Sequence, residues 1–412
     1  MTNLRGRNIV LGVCGSIAAY KAADLASRLV KLEATVEALM TASAAKFITP
    51  LSLQSLTGRP VIGDMYDAGS ETAEAHVAIA RRADAIVIAP ASASMLARLA
   101  HGFADDIIGL TVLASRAPVL IAPAMDNQMF EAAITQENVR TLRERGYAFV
   151  GPESGRLASG HTGTGRLSEP ATIVEALRFL LGRRGDLVGR KVVVTAGGTR
   201  EAIDPVRYIG NHSSGKMGYA LAEAARDRGA DVVLVSAPAS LSVPYGVRRV
   251  AVQSTLQMRD AVVAETRECD ALVMAAAPAD FRVAEEAAQK IKRHGGEGLT
   301  LDLVENPDII GGVSGDFVKV GFAAESQDLV ENARAKIGTK GLDFIVANDI
   351  TAGDAGFDAD TNRVVIIDGE GPPRHLTLLP KYEVAQRILD RVAQLLEARD
   401  AASPAAQAAG AP

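Results

Sequence analysis

Tryptophan is absent from these 412 residues and aromatic side chains make up only 4% of them, so stacking platforms for single-stranded nucleic acid are few. Cysteine is almost absent too. Cys14 and Cys269 stand alone, with no CxxC pair and no His/Cys spacing suited to zinc, which argues against a disulfide framework and for a reducing compartment. No apolar run reaches the length of a membrane span, and the opening MTNLRGRNIVLGV lacks the apolar core of a signal peptide. A cytoplasmic protein with no membrane partner is therefore expected. Positive charge is not in excess: a formal net charge of −5 argues against a general nucleic-acid binder and confines any basic site to a local cluster. The apolar and charged fractions, 48% and 23%, are ordinary for a globular chain, and the length exceeds one core but suits two domains.

Two strand–glycine turn–helix openings divide the chain. The first runs NIVLGV (8–13), Cys14-Gly15-Ser16, then the amphipathic IAAYKAADLASRLVK. The second runs KVVVTA (191–196), Gly197-Gly198-Thr199, a polar loop and a helix expected from about Gly215 to Arg228. Each is followed by another strand, TVEALMT or DVVLVSA, so each half begins as a βαβ unit with a parallel sheet. AIVIAP, PVLIAP and YAFVG read as further strands of the first half, and ALVMAA, KVGFAA and FIVAND as strands of the second. Apolar runs that end in Pro, Ser or Asp suit the edge where parallel strands meet a ligand. The expectation is an α/β chain with two Rossmann-like parallel-sheet domains in tandem, over residues 1–186 and 187–400, joined through the polar stretch Leu181 to Gly189. The small-residue tail 401–412 is expected to be disordered.

In the first half, Gly15 suits a phosphate at the N-terminus of the helix that follows. No full GxGxxG is present, and the second strand ends Thr41-Ala42-Ser43 without an acid to hold a ribose diol, which disfavours NAD and favours FMN. Thr41 and Ser43 would also serve as helix caps, so the hydroxyls alone leave both readings open. Ala89-Pro90-Ala91-Ser92-Ala93-Ser94 closes the third strand with small residues and leaves room for a flat ring. Pro123-Ala124-Met125-Asp126-Asn127-Gln128-Met129 closes the next and adds a carboxylate. The stretch GRLASGHTGTGRL, Gly155 to Leu167, is too rich in glycine for an ordinary connection and reads as a flap over a site.

With His76 and the turn Gly15 to Lys21, these segments resemble the homo-oligomeric flavin-containing cysteine decarboxylases over residues 5–180, and among them phosphopantothenoylcysteine decarboxylase. The resemblance implies a flavodoxin-like domain holding FMN at Gly15, Ser16, Ser43, Ala91 and Ser92. It also implies the chemistry: the cysteinyl thiol is oxidised to a thioaldehyde, which serves as the electron sink for loss of CO2, and return of the electrons gives 4′-phosphopantetheine with no net redox change. His76 takes the active-site histidine position; without the resemblance it would be a surface histidine. Asp126 falls where the best-known members have an asparagine that grips the substrate carboxylate, so it must be protonated or bind something else. Ser159 falls where they have a cysteine proton donor. Serine is a far weaker acid, which leaves Ser159, water or a neighbour such as His161 as the donor. Cys14 reads as a small residue filling the turn.

In the second half, Asn211-His212-Ser213-Ser214-Gly215-Lys216 opens a helix with hydroxyls, glycine backbone and a lysine suited to an anion, although no Walker A is present. A serine N-cap with a solvated lysine would look the same. Lys290-Ile291-Lys292-Arg293 follows a strand end, and Lys336 and Lys340 lie four apart, on one helix face if that helix persists. Such charge is ordinarily a solvated face, but in an acidic chain these cations suit a triphosphate. With the strand end at Asp280, the segment Asn306 to Ile310, Val320 to Glu325 and Ala347-Asn348-Asp349, the pattern over residues 188–395 resembles phosphopantothenate–cysteine ligase.

That resemblance implies attack of the 4′-phosphopantothenate carboxylate on the α-phosphate of CTP, then attack of the cysteine amine on the acyl-cytidylate, with release of pyrophosphate and CMP. It implies that Asn211 stabilises the acyl-cytidylate and that Lys290 assists its formation or breakdown. Asp280, Lys290, Phe322, Lys336 and Lys340 would hold CTP, with Pro307, Asp308, Ile309 and Ile310 near the base and Mg2+ on the phosphates. No metal ligands are named by the residues themselves. Trimeric decarboxylase units and dimeric ligase units would build a dodecamer. Two other functions stand beside this one: a flavoprotein regulatory module that has lost catalysis, suggested by Asp126 and Ser159, and an NAD(P)-dependent oxidoreductase, disfavoured by the missing ribose acid.

Overall fold

In the computed structural model, described residues are 3–63, 75–292, 298–325, 329–349 and 359–402. They divide between Leu181 and Gly182 into two compact units.

The first unit threads β1 (Asn8–Val13), α1 (Lys21–Lys31), β2 (Thr35–Met40), α2 (Pro50–Thr57), α3 (Ala75–Arg82), β3 (Ala85–Ala91), α4 (Ala93–His101), α5 (Ile107–Ala114) and β4 (Val119–Pro123). Then come α6 (Asn127–Glu131), α7 (Ala133–Glu144), β5 (Ala148–Phe149), the hairpin β6 (Glu153–Arg156) and β7 (Thr162–Arg166), and α8 (Pro170–Gly182). The strands form one sheet in the order β2-β1-β3-β4-β5, every pairing parallel. β1, β3 and β4 are near-continuous apolar runs because helices cover both faces of the sheet. Helix α1 turns Ala22, Leu25, Ala26 and Leu29 inward, the spacing of one helical face. YAFVG supplies only the two-residue β5. The expected flap is the antiparallel β6–β7 hairpin, with Ser159 in its turn.

The second unit opens with β8 (Lys191–Ala196), the hairpin β9 (Arg200–Ala202) and β10 (Tyr208–Gly210), then α9 (Lys216–Asp227) and β11 (Asp231–Ser236). It continues through β12 (Arg248–Ala251), α10 (Thr255–Glu265), β13 (Ala271–Met274), β14 (Phe281–Val283) and its partner β15 (Leu303–Glu305), β16 (Val318–Glu325), α11 (Leu329–Lys340) and β17 (Phe344–Asp349). β18 (Thr361–Asn362), β19 (Val364–Asp368), β20 (Arg374–His375), β21 (Leu379–Pro380) and α12 (Lys381–Ala402) complete it. Its main sheet has the order β12-β11-β8-β13-β16-β17-β19-β20. The expectation of a parallel sheet needs one correction here. β19 pairs antiparallel with β17, and β20 antiparallel with β19, which it follows after a turn too short for the crossover a parallel pair needs. Helix α12 also runs two residues past the expected start of the tail, and 403–412 lie outside the described residues.

Both main sheets reverse their winding beside their first strand. β2 and β3 flank β1, and β11 and β13 flank β8, so the crossovers leave in opposite directions and open a crevice at the carboxyl ends.

A buried ion pair ties helices α9 and α12 together in the second unit. Arg226 is fully buried; its Nε and Nη2 donate to Asp227 Oδ1 at 2.9 and 2.6 Å, and its Nη1 donates to Tyr245 O at 3.0 Å. Tyr382 Oη donates to the other oxygen of Asp227 at 2.6 Å. Removing the cation takes this counter-charge from a buried carboxylate. Arg226→Met is therefore expected to cost about 3–5 kcal/mol of stability, read from urea unfolding of the purified chain.

Candidate active sites

At the carboxyl edge of the first sheet, β1 gives way to Cys14-Gly15-Ser16. Cys14 N–H donates to Pro90 O at 3.2 Å, which draws the turn against the end of β3. The Cys14 thiol is pushed up to about 12, chiefly by burial, so it stays protonated and fills the turn. A Cβ on Gly15 would lie 2.5 Å from Ser43 Cβ, so only glycine lets the first turn lie against the end of β2. The two hydroxyls there divide the roles left open above. Thr41 Oγ1 accepts from Ala44 N at 3.2 Å and caps the short turn Ala44–Lys46, whereas Ser43 makes no cap bond. Ser16 accepts from Ala18 N at 3.2 Å, Ala91 is buried at the end of β3, and Ser92 caps α4 by accepting from Met95 N at 3.3 Å. Gly15, Ser16, Ser43, Ala91 and Ser92 thus share one edge of the sheet, around the crevice.

Beside them is a cavity of about 580 Å³ lined by Ser16, Tyr20, Lys21, Asp126, Ser159 and Arg166, among others. The hairpin docks on it through main chain: Met125 N–H donates to Gly165 O at 3.0 Å, and a Cβ on Gly165 would strike Met125 O. Ser159 Oγ donates to Asp126 Oδ2 at 2.7 Å, and Gln128 N–H donates to Asp126 Oδ1 at 3.1 Å. These two bonds, with the Ser159 hydroxyl foremost and the charge of His161 a lesser cause, hold the Asp126 carboxyl below its usual range. Both bonds favour the ionised form of Asp126 and give it partners within the protein. Lys21 and Arg166 both pair with Glu169, Lys21 at 3.0 Å. No sequence pattern singled out Glu169, because its role depends on a hairpin folding back over 148 residues of chain. His76 sits half-buried in the first turn of α3 and is not among the residues lining this cavity.

In the second unit one cavity of about 950 Å³ gathers Asn211, Asp280, Pro307, Asp308, Ile309, Ile310, Phe322, Lys336 and Lys340. Asn211 Nδ2 donates to Pro278 O at 2.9 Å, which fixes the loop before α9 to the end of β13. Asn306 N–H donates to Asp280 O at 2.8 Å and its amide to Ala279 O at 2.9 Å, so the Pro307 turn hangs beside Asp280. Helix α11 does persist through Lys336 and Lys340, and both face the cavity. Lys340 pairs with Asp308 at 3.1 Å, and Lys216 with Asp360 at 2.7 Å. Lys216, Asn348, Asn362 and Lys381 also line the space. No local pattern singles out Asn362 and Lys381, because their place at the cavity depends on α12 packing back against α9.

Lys290 is the exception. It is exposed and is not among the residues lining the cavity. The reason is local: Ile291 N–H donates to Asp204 Oδ2 at 3.1 Å and its carbonyl accepts from Arg207 at 3.2 Å, which pins the segment to the β9–β10 turn. Arg293 lies outside the described residues. Among the described residues no group of three or more His, Cys, Asp or Glu could hold a metal ion, and no helix is long and apolar enough to cross a membrane.

Residues 1–182 match the family model described as Flavoprotein, and residues 187–396 match the DNA/pantothenate metabolism flavoprotein C-terminal domain. The chain is thus a flavoprotein domain joined to a domain of pantothenate metabolism. Coenzyme A biosynthesis bifunctional protein CoaBC of Vibrio cholerae is 45% identical over 395 residues, covering 94% of this chain and 98% of that protein. The proteins of the same name from Bacillus subtilis and Escherichia coli are each 44% identical, covering 95% of this chain and 98% and 97% of theirs. The chain belongs to this family of coenzyme A biosynthesis bifunctional proteins.

If the Gly15–Ser43 approach forms the flavin cradle, a single methyl group should spoil it. Gly15→Ala is expected to purify folded but without flavin absorbance, checked by visible spectroscopy and circular dichroism of the same sample.

Proposed function

We propose that the second unit joins cysteine to 4′-phosphopantothenate at the expense of CTP, and that the first decarboxylates the product to 4′-phosphopantetheine with FMN. The observation that carries this reading is the convergence of Asn211, Asp280, Phe322, Lys336 and Lys340 on one cavity at the carboxyl edge of β8 and β13. Kinship with a bifunctional family along nearly the whole chain supports it.

In the ligase site the 4′-phosphopantothenate carboxylate forms a bond to the α-phosphorus of CTP as the bond to pyrophosphate breaks. The cysteine amine then bonds to the acyl carbon, CMP leaves, and the amine gives up a proton. Protein groups here position and neutralise rather than react covalently. Lys336 and Lys340 offer charge to the phosphates, with Lys340 exchanging Asp308 for them. Asn211, whose amide is held at Pro278, would stabilise the acyl-cytidylate. Asp280 and the phosphates together suit Mg2+, which needs only one or two protein carboxylates. Lys290 would join only if its segment moved from the Asp204 turn.

In the decarboxylase site the five-residue edge around Gly15 and Ser43 fits FMN: it is close to backbone, carries hydroxyls for a monophosphate, and has no acid for a second ribose. Bound there, FMN supplies the reversible oxidation of the cysteinyl thiol. His76 is the active-site histidine of this reading, and Ser159 is oriented by Asp126. With Asp126 ionised, the substrate carboxylate meets a like charge rather than an amide donor. Assembly into a dodecamer of trimeric decarboxylase and dimeric ligase units completes the reading. The exposed Phe47, Leu51 and Phe103 of the first unit support it, and light scattering measures the mass.

A second reading, a regulatory flavoprotein without catalysis, is favoured only by Asp126 and Ser159. Incubation with 4′-phosphopantothenate, cysteine and CTP separates the two: the enzyme releases pyrophosphate and CO2, and the module releases neither. His76→Asn is expected to abolish CO2 release while Ser159→Cys retains it; full activity of the histidine variant would sink its role. Asp126→Asn keeps the cap and removes the like charge, so KM for 4′-phosphopantothenoylcysteine is expected to fall roughly fivefold in steady-state assays.

A further inference from the structure

Strand β16 alternates its side chains. Val318 and Val320 are fully buried in the cluster that α9 and α12 cover. Lys319 points the other way, into the apolar layer of Ile310, Val313 and Leu342, and only 8% of it is exposed. An ammonium has three hydrogens, and here each meets a main-chain carbonyl: Ile310 O at 3.1 Å, Val313 O at 2.5 Å and Lys340 O at 3.1 Å. Among the described residues no carboxylate forms an ion pair with it.

Two of the three carbonyls belong to residues that line the ligase cavity, Ile310 and Lys340, and Val313 follows Ile310 in the chain. Ile310 and Val313 belong to the turn that follows Pro307, and Lys340 is the last residue of α11. The turn and the helix end form two walls that face each other through the Lys340–Asp308 pair. A lysine placed in an apolar layer costs desolvation that a methionine would not. Its specific return is geometric: one cation fixes both walls at a set distance.

We propose that Lys319 is a positioning residue for the nucleotide. By binding the carbonyls of Ile310, Val313 and Lys340, it sets the spacing between the 307–313 turn and the lysine-bearing end of α11, and with it the affinity for a nucleoside triphosphate. The inference rests on the ligase reading and adds to it a residue that touches no substrate.

The charged groups around Lys319 are few. Asp308 on the turn and Asp343, whose Oδ2 accepts the Lys319 N–H at 2.7 Å, favour its charged form. Burial opposes them and wins, holding the ammonium below the usual lysine range. A lysine whose folded pKa is lowered loses its proton earlier as pH rises, and with it one of the three donors and the charge that strengthens the other two.

The test compares Lys319→Met, which keeps length and apolar stem, with Lys319→Arg, which keeps charge, in the full chain. Lys319→Met is expected to raise KM and Kd for CTP about tenfold, with kcat and the KM values for cysteine and 4′-phosphopantothenate within about twofold. Lys319→Arg should recover part of the affinity. An unchanged KM for CTP in an active Lys319→Met ligase, or a loss shared equally by all three substrates, overturns the proposal. Should Lys319→Met not fold, the wild-type chain decides: its Kd for CTP should weaken with rising pH before exposed lysines titrate, and a flat affinity there overturns it. A wild-type chain that releases no pyrophosphate from CTP would instead fail the ligase reading itself.

Discussion

A parallel strand flanked by two neighbours whose crossovers leave in opposite directions cannot be covered at its carboxyl end, and both halves of this chain are organised by that constraint. In the first sheet it falls at β1 and in the second at β8. Right-handed crossovers force the helices on either side apart at this point, and the loops that leave the neighbouring strands become the walls of a crevice. Everything that defines the two sites follows from it. Gly15 can approach Ser43, and the loop at Asn211 can reach Pro278, because these loops emerge side by side at one edge.

The charge in the two sites obeys a second rule, that a concave site holds cations only when their charge is answered. Lys21 and Arg166 share Glu169, Lys216 has Asp360, and Lys340 has Asp308. An entering phosphate or carboxylate therefore exchanges one anion for another rather than meeting bare charge. This exchange lowers the cost of keeping the site open in a chain whose net charge is −5, and it sharpens selection for ligands carrying more than one negative group. Lys319 departs from the pattern: its ammonium bonds main-chain carbonyls rather than a carboxylate, so an entering anion has no ion pair there to exchange.

Much of this architecture is legible along the chain. NIVLGV and KVVVTA are strands of the length their apolar runs suggest, because a strand covered on both faces must be apolar at nearly every position. The spacing of Lys336 and Lys340 announces a shared helix face, and the glycines from Gly155 to Gly165 announce a hairpin that lies against backbone. Less legible are the antiparallel strands β19 and β20, whose short segments carry no period longer than themselves, and the place of Lys290, which depends on a turn more than eighty residues earlier.

The sequence by itself determined the tandem of two α/β units, the small-residue edges of their sheets, and a family resemblance strong enough to imply both reactions, since local periodicity and turn chemistry act between residues near one another in the chain. Tertiary structure alone decided which groups meet. It gave Ser159 to Asp126, lowered the proton affinity of Asp126, held the Lys290 segment at the β9–β10 turn and buried Lys319. Charge, proton affinity and hydrogen bonding are properties of neighbours in space, and those neighbours are set by packing between segments far apart in the sequence.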